Sequence, residues 1–269
     1  MSSFIASDEQ IARFHKDGFL LVRNLLDDSE TQGLRRYARG DDDPMGESIV
    51  RSDSSGVETR LTLKNELDDA CVYTAIVRSQ RVAGTMQRLL GDEVYHYHHK
   101  MTLKEPKIGG AWEWHQDYGY WYNNGCLYPN MGSCMIAVDN ANQANGCLQV
   151  LRGSHLVGRV DHMAVGDQTG ADPDRVQAVL ERHERVYCEM KPGDAVFFHG
   201  NLFHCSDQNT SDQPRWSLIC CYNTKRNDPF EKKGPHPSYS PLTICPDHQL
   251  GEMIRQRYSL PSGNGMQES

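Results

Sequence analysis

The chain carries two histidine-x-aspartate motifs, His15 with Asp17 and His115 with Asp117. With twelve histidines in 269 residues, roughly one such match arises by chance, so the motif alone proves nothing. His15 and Asp17 fall in "SDEQIARFHKD", which reads as a helix, and helical positions i and i+2 diverge too far to share an ion. His115 and Asp117 fall in "EWHQDYGYW", which reads as a strand, where i and i+2 project from one face and can share one. By the same parity Gly119 and Trp121 continue the metal face, while Tyr118 and Tyr120 turn away from it. Gly119 then leaves room beside the ion, and Trp121 forms a pocket wall or a cation–π contact to substrate.

A third ligand is available in "GDAVFFHGNLFHCSDQNTSDQPRWSL", from His199 or His204. Two histidines and one carboxylate on one face leave three positions open, as in non-haem Fe(II) oxygenases. The same donors could instead hold zinc and activate water. Arg215 follows His204 by eleven residues, with Ser217 two further on and on the same face if the segment is a strand. A guanidinium there gives a permanent, two-pronged anchor for a dicarboxylate, and the Ser217 hydroxyl adds a donor to the same group. The other histidines lack a partner at ligand spacing. His155 is expected to bond its local backbone, His199 to support His204, and His162, His183, His236 and His248 to lie on the surface.

These residues must be held by a scaffold. Ser7 with Gln10 forms a capping box, and Gly18 stops the helix that follows. "FLLVRNLL" reads as a buried strand, and Ser29 with Gln32 opens a second helix running to about Gly40. Residues 41–68, with "DDDP" and "SDSSG", read as a lid loop, and a third helix spans about 70–90. From residue 94 to 225 the pattern turns to about eight short β-rich segments, from "VYHYHHKMTL" to "RWSLICCYN", which predicts a double-sheet jelly roll. "DPDRVQAVLERHE" breaks the series as a helix with Pro173 in its first turn and a Val176, Val179, Leu180 stripe, expected across one mouth of the barrel. The expected architecture is one domain over 1–269: a mainly helical part to residue 93, a cupin-like jelly-roll core, and a segment 226–269 whose end, after Leu260, reads as disordered.

A net charge of -8 and a pI near 5.8 disfavour nucleic acid and anionic membrane as partners, since both require clustered cations. The nine cysteines are odd in number, without C-x-x-C spacing, and sit in apolar segments such as "LICCY". That usage points to reduced, packed thiols. The opening "MSSFIASDEQ" lacks the basic and apolar regions of a signal peptide. The expectation is a cytoplasmic protein acting on a small molecule; nothing in the sequence fixes an oligomeric state.

Together "FHKDGFLLVRNLL", "WHQD", "NGCLQVLRGSH" and the His204 to Ser217 segment resemble the phytanoyl-CoA dioxygenase family, which includes the ectoine hydroxylases. The resemblance covers residues 10 to 225 and implies a double-stranded β-helix binding Fe(II) and 2-oxoglutarate. It implies His115, Asp117 and His204 as metal ligands and Arg215 as the partner of the distal carboxylate of 2-oxoglutarate. His98 and Thr102 fall on the strand that gives polar groups to the cosubstrate, where family members often carry Gln and Asn. Met135 falls where some relatives place an aromatic ring. The implied reaction consumes O2, releases succinate and CO2, and hydroxylates a substrate; the carboxylate of Asp117 favours this over halogenation, in which chloride takes that position. Amino-acid derivatives, osmolytes and aminophosphonates are the expected substrate classes, because no basic groove awaits an acyl-CoA. Arg51, Arg60 and Lys64, in the expected lid, are candidates for an anionic substrate group. The competing readings are a non-catalytic metal or 2-oxoglutarate sensor and a cupin-like zinc hydrolase.

Overall fold

The computed structural model describes residues 4–40, 48–231 and 236–258. Its centre is a pair of antiparallel sheets. The larger joins β1 (Phe19–Val22), β11 (Ala195–His199), β6 (Met131–Ala137), β13 (Arg215–Thr224), β4 (Val94–Lys104), β3 (Glu58–Lys64) and β2 (Ile49–Ser52) in that order. The smaller joins β10 (Arg185–Cys188), β7 (Leu148–Leu151), β12 (His204–Ser206) and β5 (Trp112–His115). A two-stranded ribbon, β8 (His162–Val165) with β9 (Gln168–Ala171), adjoins them. All eight expected segments contain strands, and the architecture is the mainly β jelly roll with flanking helices.

Period-two alternation sorts the side chains into layers. Tyr95, Met135, Val196 and Ile219 from the larger sheet meet Leu148, Val150 and Cys188 from the smaller one in the space between them. The opposite face of the larger sheet, with Met101, Ile136, Phe197 and Leu218, packs under helices α1 (Asp8–Asp17), α2 (Asp28–Ala38), α3 (Val72–Arg78), α4 (Thr85–Leu90) and α7 (His248–Tyr258). Leu151, Phe203 and Trp114, on the far face of the smaller sheet, pack with Val176 and Val179 of α6 (Pro173–Leu180). That helix therefore covers the outside of the smaller sheet and does not cross the barrel mouth, because its apolar stripe matches the sheet's outer residues.

The first helix carries the expected capping box, with Ser7 and Gln10 exchanging bonds of 3.2 and 2.9 Å, and ends at Gly18 with φ 84°. A side chain at Gly18 would also strike His155 and Leu202. The second helix is capped instead by Asp27 with Glu30, two residues earlier than Ser29 with Gln32, because Asp27 Oδ1 accepts from Glu30 N at 2.8 Å. The expected third helix breaks at Ser79, where the backbone turns extended before a π-helical turn at Gln80–Gly84. The lid expectation fails over residues 49–64. Antiparallel pairing of Ile49–Ser52 with Glu58–Leu61, and of β3 with β4, adds a hairpin, β2–β3, to the edge of the larger sheet. Residues 41–47 and the tail after Leu260 lie outside the described residues. Helix α7 has no counterpart in the sequence reading; Leu250 and Ile254 bury it against the N-terminal helices.

One irregularity in β4 positions the site. Cys221 pairs with His98 but Tyr222 pairs with His96, so Tyr97 is an extra residue. Such a bulge reverses the alternation. Before it, Tyr95 faces the space between the sheets; after it, His98, Lys100 and Thr102 do. Tyr97 and His98 both point inward, while His96 and His99 meet on the outer face, ring nitrogens 3.0 Å apart.

Candidate active site

His115 ends β5 and His204 begins β12, directly paired in the ladder. Their ring centroids are 4.1 Å apart. The strand stops at His115, and Asp117 is the first residue of a short helix, α5 (Asp117–Trp121). The motif thus meets by a strand-to-helix turn, not by strand parity, and Asp117 Oδ1 lies 3.7 Å from His115 Nε2 and 4.0 Å from His204 Nε2. One ligand atom from each residue lies within 4.8 Å of the others, and among the described residues no other group of histidines, cysteines or acids meets this condition. His15 and Asp17 are accordingly not part of such a group; buried Asp17 pairs with Arg152 at 2.6 Å.

Each imidazole is set for coordination. His115 Nδ1 donates to Glu113 O at 2.6 Å and His204 Nδ1 to Leu202 O at 2.9 Å, which fixes the tautomer and leaves both Nε2 lone pairs aimed at Asp117. Burial pushes both imidazoles below their ordinary pKa, in His115 with help from His204, so neither needs to lose a proton at neutral pH. Burial alone would raise the carboxyl of Asp117. The Lys100 ammonium, then His204 and His115, with a 2.6 Å hydrogen bond from Tyr120 Oη, hold it well below the usual carboxylate range. Ser133 Oγ donates to the other oxygen at 3.3 Å.

Because Asp117 opens a helix, the parity expectation for its successors fails. Tyr120, one turn on, faces the triad and stacks on His115. Gly119 leaves room for His162, whose ring occupies the place a Cβ would take, and not for an ion. His162 is therefore no surface residue: its Nε2 accepts from Gln116 N at 3.0 Å. Gln116 is fully buried and clamps the turn through Val160 N, Gly158 O and Asn201 O. His199 does not support His204. It packs against Phe14 and His155, while His155 Nε2 bonds His15 O, distant in sequence rather than local.

A cavity of about 360 Å³ opens over the triad, lined by His98, Thr102, Met135, Arg215 and Trp121 among others. Arg215 is only 1 % exposed. Its Nε donates to Gly146 O at 3.0 Å, its Nη2 reaches the same oxygen, and its Nη1 reaches Thr102 Oγ1 at 3.4 Å. Burial lowers its pKa to about 10, so it remains cationic at neutral pH. No carboxylate among the described residues pairs with it. A buried, uncompensated charge is costly and calls for an anion. Two buried polar atoms nearby, His98 Nε2 and Ser217 Oγ, also lack partners. Triad, guanidinium and orphaned donors fit a metal together with a carboxylate-bearing ligand.

Trp121 is 1 % exposed and packs edge-on against Tyr97 and His98 at 5.3 and 5.7 Å, reaching the cavity from α5. Arg60 does not reach it. Leu61 and Leu63 take the cavity side of β3, which leaves Arg60 exposed and paired with Glu58 at 3.3 Å. Arg51 and Lys64 are likewise absent from the lining. Sequence reasoning missed Lys100, Tyr120 and His236, all lining residues, and His236 stacks on Tyr97 with planes 8° apart. It also missed Lys104, fully buried beside Arg215, with Nζ donating to Gly110 O at 2.7 Å and to the carbonyl of Asp207. Its place in β4, two residues after Thr102 on one face, was the available sign.

No described helix is long and apolar enough to cross a membrane. The chain is 30 % identical over 251 residues to the L-proline trans-4-hydroxylase of Streptomyces griseoviridis, covering 87 % of this chain and 91 % of that protein. It is 30 % identical over 238 residues to an ectoine dioxygenase of Bordetella parapertussis, covering 82 % and 76 %. The crystal structure of EctD from S. alaskensis with 2-oxoglutarate and 5-hydroxyectoine shares the fold, with a TM-score of 0.73 and 23 % identity over 91 % of this chain and 90 % of that one. The family model for phytanoyl-CoA dioxygenase (PhyH) matches residues 14–217, a span that contains the triad, the cavity strands and Arg215: the chain belongs to the phytanoyl-CoA dioxygenase family.

Proposed function

We propose that this Fe(II)- and 2-oxoglutarate-dependent dioxygenase hydroxylates a small polar metabolite of the amino-acid or amino-acid-derivative class. One observation carries the reading: His115 and His204, which group with Asp117 as metal donors, line one cavity with the uncompensated Arg215 guanidinium. In this reading the triad holds Fe(II), and Arg215 with Ser217 and Thr102 holds the distal carboxylate of 2-oxoglutarate, with His98 and Met135 alongside. Curated relatives are named as hydroxylases or dioxygenases of proline, ectoine or methylphosphonate, which supports a small polar substrate.

Bound together, iron and 2-oxoglutarate supply the oxidation of a C–H bond by O2, with succinate and CO2 as coproducts. The chain supplies position. Carbonyls of Glu113 and Leu202 hold the imidazoles in register, and the Tyr120 hydroxyl keeps Asp117 turned toward them. Arg215 neutralises a carboxylate that would otherwise be costly to bury. Trp121, Met135 and Ile219 line the cavity with apolar surface and exclude water from the reacting centre. A zinc hydrolase with the same donors has no use for the Arg215 anchor.

The test is turnover. Protein supplied with Fe(II), 2-oxoglutarate, O2 and a panel of amino acids should release succinate in step with a product one oxygen atom heavier. Iron bound at the triad without substrate-stimulated succinate from any panel member would overturn the substrate class.

A further inference from the structure

The cavity has a second cation that the cosubstrate site does not absorb. Lys100 lies on the inward face of β4, opposite Ile219 of β13 on one side and Leu63 of β3 on the other. Its side chain lines the cavity, yet Nζ makes no hydrogen bond or ion pair with any described residue. Lys104, four positions along, spends its ammonium on backbone carbonyls. Arg215 pairs in register with Lys104, so the two cavity cations sit at levels roughly 13 Å apart along the strand.

Their electrical surroundings differ accordingly. Lys100 acts on Asp117, His115, His204 and His98, whereas Arg215 acts on Lys104 and Cys147. Lys100 is thus the cation on the triad side and Arg215 the one beyond it. Leu63 pairs with Lys100 across β3, the other cavity-lining residues include Leu61, Trp121, Asn65 and His236, and no glutamate or aspartate lines the cavity. Asp117 cannot serve as a lasting partner, because it already accepts from Tyr120 and Ser133 and is a metal donor. A half-buried ammonium in such walls, held within reach of the triad, is an unfilled anion site.

We infer that Lys100 anchors the carboxylate of the substrate, which makes the preferred substrates small amino or imino acids rather than neutral or purely cationic metabolites. The inference rests on the dioxygenase reading above and names its substrate class. Lys100 holds one end of the substrate over the triad, and Trp121 contributes apolar wall to the same cavity.

The experiment compares acids with their primary amides, L-proline with L-prolinamide among several such pairs. Binding is measured by calorimetry to anaerobic protein loaded with Fe(II) and 2-oxoglutarate, for wild type, Lys100→Met and Lys100→Arg. At least one acid should bind wild type about tenfold or more tightly than its amide. Lys100→Met should abolish that preference, and Lys100→Arg should restore part of it. The visible band of chelated 2-oxoglutarate should form in Lys100→Met, since that ligand is held at Arg215. Three results overturn the inference: no acid preferred over its amide, a preference that survives in Lys100→Met, or a loss of 2-oxoglutarate binding in Lys100→Met as large as in Arg215→Ala. Absence of the band in wild type would instead bring down the dioxygenase reading, and the anchor with it.

Discussion

Strand β4 presents histidines on both faces, and the two faces have opposite fates. Outside, His96 and His99 share a 3.0 Å contact beneath the helical layer. Inside, His98 stands in the cavity with an unpartnered Nε2, beside Lys100 and Thr102. Burial lowers the pKa of all three, to about 3 for His96 and about 4 for His99. Burial and a perturbed titration therefore do not mark a functional histidine. What separates the faces is satisfaction: the outer pair completes its own bond, while the inner face leaves donors and charges that only a ligand can meet.

The sharpest way to break this comparison is to remove a donor on the inner side. Asp117→Ala should weaken Fe(II) binding by more than about a hundredfold and abolish hydroxylation, as judged by metal titration and succinate release. An unaltered metal affinity would place the ion elsewhere.

The outer pair makes the next largest contribution, and to stability rather than activity. Its folded-state pKa values lie below the unfolded value near 6.5, so below that pH the unfolded chain binds more protons. Stability present above pH 6.5 is lost as pH falls toward about 4. His96→Gln should flatten that loss by about 2 kcal/mol near pH 4.5, measured by denaturant melts across pH. An acid profile identical to wild type would show that the outer pair is not the titrating element.

Tyr120→Phe is a finer probe of the inner side. Losing the 2.6 Å bond to Asp117 should cost about tenfold in metal affinity, with the fold intact. Smallest of all, Arg60→Ala should shift stability by less than about 0.5 kcal/mol and leave turnover alone, because the side chain is exposed and faces away from the cavity. A marked rise in substrate requirement would return Arg60 to the site.

The pattern of these residues explains what was legible beforehand. The jelly roll could be read because short alternating segments between turn residues report strands locally. Spacing and residue type grouped His115, Asp117 and Arg215 and left His199 and His204 open as the third donor, and the family resemblance selected His204. Facing was harder. Strand parity breaks wherever the backbone changes period, and it did so twice: at Asp117, where a helix begins and turns Tyr120 inward, and at Tyr97, where a bulge adds a residue. The expectation that His98 and Thr102 share a face survives only because both follow the bulge. Lys100, between them on that same face, drew no notice since a lone lysine ordinarily reads as solvated. Hairpin β2–β3 was obscured by the polar composition of an edge strand, and Lys104 by the rarity of buried lysine.

The central claim is that one cavity joins a metal triad to a carboxylate anchor at Arg215. Its most direct test is an anaerobic titration of Fe(II)-loaded protein with 2-oxoglutarate, following the visible charge-transfer band in wild type and Arg215→Ala. A band that saturates in wild type, and requires at least about a hundredfold more 2-oxoglutarate in the variant, is the expected result. A band equally strong in both, or none in a wild type that binds iron, would contradict it.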